Sequence, residues 1–156
     1  MSFSRLLERF KDGFSSHSPA GTKDVDPLRL ATAAVLLEIA HADGVFSPAE
    51  DGDVVGFLTG AFSLDEASVR ELMATAEEIR QHTIDHFALT NYVRRNATLQ
   101  DRIDIVKTMW RLAYSDGRLT DYENYLIRKL SDLLGIEHRV MIDAKVDVLR
   151  ERGEAV

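Results

Sequence analysis

The stretch Leu36–Glu50, LLEIAHADGVFSPAE, returns without a gap as Met109–Glu123, MWRLAYSDGRLTDYE. Alanine (Ala40, Ala113), aspartate (Asp43, Asp116), glycine (Gly44, Gly117) and glutamate (Glu50, Glu123) coincide, and Ser47 matches Thr120 in kind. Each copy reads as the end of one helix, a turn through Asp-Gly and the start of the next. Glycine takes left-handed backbone at a helix end without a Cβ penalty. A Ser or Thr followed three residues later by Glu is a capping box, in which the hydroxyl accepts from an orphan amide and the acid reaches back to the cap amide. After each glutamate come an apolar helix, a break at Ser63–Leu64 or Gly135–Ile136, and a third helix. Two three-helix halves about a pseudo-twofold axis, joined by a bridging helix, are the simplest arrangement.

Outward from the repeat, helices are expected over 3–13, 27–43, 48–60, 64–81, 85–96, 99–116, 121–134 and 137–151. Nothing between them alternates as a strand does, so the fold class is all-α, a single compact domain of about seven to eight helices. Asp26-Pro27 and Ser47-Pro48 each place a cap residue before a proline at the first helical position. A further capping box is expected at Ser63…Glu66, whereas the helices after Thr83 and Thr98 begin without that signal. Leu30, Ala34, Leu37 and Ala40, then Ile103, Val106, Met109, Trp110 and Ala113, keep helical spacing and mark core faces, Trp110 included. Mixed charges such as Glu77-Glu78, Arg94-Arg95 and Arg150-Glu151-Arg152 read as solvated faces. Ser15 to Asp26 forms a linker that separates an N-terminal amphipathic helix (1–26 with the linker) from the main helical domain (27–156). In that first helix Phe3, Leu6, Leu7 and Phe10 fall at i, i+3, i+4 and i+7. Packing on its own domain is the commoner use of such a stripe, and peripheral contact of residues 3–13 with a membrane or partner is the other.

The 156 residues suffice for one domain, which buries roughly 68–70% of its unfolded surface. With no cysteine, disulfides, thiolate metal sites and cysteine nucleophiles are excluded. A net charge of −7 opposes phosphate backbones and anionic lipid, so nucleic acid is not expected as a partner. No apolar run approaches the ~20 residues that cross a bilayer, and the start lacks a signal peptide, so a cytoplasmic protein without an integral membrane segment is expected. There is no glycine-rich phosphate loop, nucleophile elbow or triad spacing, and the chain reads as a non-enzyme.

The interval from glycine to glutamate in each loop equals that in the last part of an EF-hand calcium loop, but the first and third ligand positions would fall on Ile39 and His41, or Leu112 and Tyr114. Neither half is an EF-hand. What remains is Asp43 with Glu50 and Asp116 with Glu123, and four converging carboxylates could hold hard cations, with backbone carbonyls, Ser47 or Thr120 and waters completing the shell. The competing reading is that each glutamate only caps and each Asp-Gly only turns. His41 stands where the second half has Tyr114, so the halves are chemically unequal. His82 and His86 could chelate zinc on one continuous helix, but a break expected at Thr83 would spoil that spacing.

The paired Ala-x-Asp-Gly-x-apolar-Ser/Thr-x-x-Glu motifs resemble the TerB-like family named for tellurite resistance, which includes the N-terminal domain of a membrane-anchored DnaJ-type co-chaperone. The resemblance covers about residues 27–150. It implies a pseudosymmetric helical domain with an acidic metal site at Asp43, Glu50, Asp116 and Glu123. The ion would be calcium, magnesium or manganese ahead of zinc, and the setting a tellurite or metal-stress response. No His-Pro-Asp tripeptide occurs, so co-chaperone activity is not carried over. The alternative is a protein-interaction scaffold whose loops are purely structural. Metal binding expects the four carboxylates to face a common cleft, whereas scaffolding expects each glutamate to turn back to its own cap.

Overall fold

Asp26 opens the first helix, accepting the Leu28 amide at 2.9 Å ahead of Pro27 at the first helical position. The computed structural model describes residues 26–42, 47–82, 86–115 and 119–153. Among them are seven helices and no strand: α1 Pro27–Ala40, α2 Pro48–Phe62, α3 Glu66–His82, α4 His86–Asn96, α5 Leu99–Ala113, α6 Asp121–Leu133 and α7 His138–Glu151. The helix expected over 3–13 lies outside the described residues, as do Gly44 and Gly117.

The two halves repeat down to their caps. The amides of His41 and Tyr114, equivalent in the repeat, close α1 and α5 by bonding to the Leu37 and Trp110 carbonyls at 3.0 Å, with φ,ψ of −95°,4° and −94°,2°. Both helices thus end a turn earlier than the Asp-Gly signal suggests. Gly135, at φ 74°, closes α6 with the paired bonds Ile136 to Ser131 and Gly135 to Asp132, each 2.9 Å. In the first half Ser63 takes the left-handed role, at φ 52°, with the Leu64 amide returning to Thr59.

This overturns the box expected at Ser63…Glu66. Ser63 ends α2, and Asp65 starts α3 by accepting the Ser68 amide at 2.8 Å. Between two helices only three residues apart, the hydroxyl was read for the wrong end. Conversely, α5 does begin with a box, Thr98…Asp101, whose hydroxyl accepts the Asp101 amide at 3.0 Å. Its third residue is aspartate rather than the glutamate or glutamine of the usual pattern, so the spacing alone does not signal it.

α1 touches α2 and α3 as α5 touches α6 and α7; α2 lies on α5 as α6 lies on α1; and α1 meets α5. Exchanging the halves leaves that pattern unchanged, as a pseudo-twofold arrangement of the halves requires. The bridging helix α4 packs on α1 and α6. Because five helices surround it, α1 buries eleven of its fourteen residues, as a helix apolar on all sides must. Trp110 is fully buried, its indole Nε1 donating to the Met141 carbonyl at 3.0 Å. At Gly135 the positive φ disfavours a side chain, and a Cβ would also come within 3.0 Å of Arg94 Nε, which would have to shift.

Candidate functional site

Glu50 and Glu123, one in the first turn of α2 and one in the first turn of α6, are 4% and 2% exposed. Burial is unusual for a cap-box acid, which ordinarily sits at a solvated helix start, and a carboxylate is rarely taken out of water without strong partners. Each turns Oε1 back to its own cap: the Ser47 amide donates to Glu50 and the Thr120 amide to Glu123, both at 3.1 Å. The hydroxyls of Ser47 and Thr120 return the bond from the glutamate amides, again at 3.1 Å. The cap therefore engages one oxygen of each carboxylate and fixes the plane of the other.

The start of α2 and the end of α5, each flanking one acidic loop, lie near each other. Asp53, one turn past Glu50, is within electrostatic reach of Arg111 near the end of α5 and of Arg152. Further along, Phe57, Gly60 and Phe62 of α2 share a groove with Ala97 and Asp101 at the start of α5. α2 thus runs back along α5, so the entry to α2 lies beside the exit from α5. Burial pushes the Asp53 carboxyl above the usual carboxylate range, against the opposing charges of Arg111 and Arg152.

Asp43 and Asp116, the other half of the expected ligand set, lie outside the described residues. Among the described residues no group of three or more histidines, aspartates and glutamates gathers as metal ligands do. His82 is the last residue of α3 and His86 the first of α4; the break expected at Thr83 lies outside the described residues.

The inequality at His41 and Tyr114 has physical content. His41 Nε2 meets Glu77 Oε2 at 3.2 Å, while Arg80 binds Glu77 at 2.6 Å and reaches Glu38 at 3.5 Å. Tyr114 instead tilts against Trp110, ring centroids 6.3 Å apart. Burial would raise Glu77, but the Arg80 hydrogen bonds and the charges of His41 and Arg80 outweigh it and hold the acid below its ordinary value. Glu77 is therefore not the solvated charge that its neighbour Glu78 suggested. The i,i+3 spacing of Glu77 and Arg80 was a usable signal for their pairing; the contribution of Glu38 needed the packing of α3 on α1.

Compared with known protein families, residues 29–146, running from the first turn of α1 well into α7, match the family model described as TerB, tellurite resistance protein TerB. No curated protein and no solved structure matches the chain.

Proposed function

The chain belongs to the TerB family, and from that premise we propose that it is a divalent-cation-binding helical module in which Asp43, Glu50, Asp116 and Glu123 hold the ion between the repeated loops. The observation that carries the proposal is the burial of two equivalent glutamates, one in the first turn of α2 and one in the first turn of α6. An all-oxygen carboxylate set suits calcium, magnesium or manganese better than zinc, which takes nitrogen and sulfur more readily. The two caps would hold Glu50 and Glu123 in fixed orientation, and an ion bound by both loops would tie one half to the other. The tellurite or metal-stress setting follows the family's description, the proposed location is the cytoplasm, and the proposal includes no catalytic step.

One observation favours a second reading. Both glutamates turn an oxygen back to their own caps, as purely structural loops require, and on that basis the chain is a protein-interaction scaffold. Thermal unfolding of chelator-stripped protein with added calcium, magnesium, manganese or zinc separates the two. An ion at ~100 times its dissociation constant adds about 2.7 kcal/mol, which is roughly 5–10 °C for a chain of this size. Loss of that shift in Asp43→Asn with Asp116→Asn supports the four-carboxylate site. No shift in the wild type with any of the ions sinks it and leaves the scaffold.

A further inference from the structure

We infer that the groove between α2 and α5 is the dock for the chain's own amphipathic segment, residues 3–13. The groove holds about 460 Å³, within the ~300–1,000 Å³ of ordinary binding clefts. Leu28, Phe57, Phe62 and Ile105 give it apolar walls. Its lining includes Gly56 and Gly60, both exposed in the middle and last turn of α2. Each costs about 1 kcal/mol relative to alanine at such a position. A Cβ at either would meet nothing within 4 Å, so the body of the protein gives no steric reason for glycine there. The close approach of another backbone is one.

Three observations single out residues 3–13 as the occupant. Asp26 lies two residues before Leu28, so the segment that precedes it is tethered beside this groove. The intervening residues 14–25 span up to about 40 Å when extended, against about 22 Å for the whole of α2, so reach is no obstacle. The tether also raises the effective concentration of the segment at the groove, to ~mM for a short flexible linker. Finally, the charges match. On a helical projection Arg9 and Lys11 flank the Phe3, Leu6, Leu7, Phe10 stripe on its two sides, while Arg5, Glu8 and Asp12 fall on the far face. The groove's rim carries Asp101 and Asp104, neither of which has a salt-bridge partner among the described residues, whereas its one arginine, Arg111, is already paired with Glu151 at 3.0 Å. The contact is a helix laid into an apolar groove through i, i+3, i+4 and i+7 anchors.

Amide hydrogen exchange on the full chain tests this. Residues 3–13 are expected to exchange at least tenfold slower than an unstructured peptide. Gly60→Leu, which fills the groove, should return them to unprotected rates. Leu7→Asp with Phe10→Asp should do the same and also speed exchange at residues 101–105, and this second variant leaves the body untouched should the first fail to fold. Unprotected rates in the wild type overturn the inference, as does protection that survives Gly60→Leu. Protection that grows with protein concentration points instead to a second copy, and protection that needs anionic phospholipid vesicles points to a membrane; either result overturns it.

Discussion

Glutamine at Glu50 and Glu123 separates the two jobs those residues could hold, because it keeps an oxygen to accept from the Ser47 or Thr120 amide at 3.1 Å while removing the charge. Alanine removes both. In chelator, alanine loses a cap of about 1 kcal/mol and one buried methylene at about 0.8 kcal/mol, roughly 2 kcal/mol in all, or a Tm lower by about 4–8 °C. Glutamine in chelator should stay within about 1 kcal/mol of wild type, because a charge that is costly to bury is removed along with its favourable contacts. With saturating ion the expectation changes. Each single glutamine variant forfeits the ion's contribution of about 2.7 kcal/mol, but the double variant forfeits it only once. The two substitutions should therefore be additive in chelator, each serving its own cap, and non-additive by about 2.7 kcal/mol with the ion. Urea unfolding of wild type, both singles and the double, with and without metal, reads this directly. Additivity in both conditions refutes a shared ion, and a glutamine as damaging as alanine in chelator refutes the assignment of the cap as the contact that stabilises the metal-free protein.

Ser63 holds left-handed backbone without being glycine (φ 52°), a conformation that costs an L-residue about 1–2 kcal/mol; Ser63→Gly should raise Tm by roughly 2–4 °C, and a fall would mean that the hydroxyl makes a contact worth more than the strain. Glu77 is held below its ordinary value of 4.5, so its stabilisation is complete above that pH and is lost as pH falls through the lowered folded value. Glu77→Gln should accordingly be less stable than wild type at pH 7 and converge with it below the folded value, as denaturant titrations across that range would reveal; a difference that persists undiminished in acid would exclude charge as its origin.

Much of the fold is written locally. Asp26-Pro27, Ser47-Pro48 and the boxes at Ser47…Glu50 and Thr120…Glu123 act within four residues of themselves, so short-range sterics and hydrogen bonding suffice to read them. Ser63 was misread because two helix ends compete for one small polar residue, and the winner depends on whether the turn reaches left-handed backbone, which spacing does not encode. At Thr98 aspartate fills the place usually held by glutamate, so the spacing alone does not signal the box.

For the candidate site, the sequence located the acids and their symmetry, since a gapless internal repeat forces equivalent residues into equivalent local settings. It could not give the burial of Glu50 and Glu123, at 4% and 2%, because that depends on neighbours brought in from other helices. It also left Glu77 among the solvated charges, whereas α3 packing on α1 sets it against His41 and, through Arg80, Glu38. The sequence by itself determined the seven described helices, their halves and the caps at Asp26, Ser47 and Thr120, all consequences of backbone geometry and period. Only the tertiary structure decided that α1 is packed by five helices, that the start of α2 lies near the end of α5, and that α2 and α5 leave a groove beside Leu28. Those follow from which faces meet, a choice made by packing over tens of residues, and no local pattern fixes it.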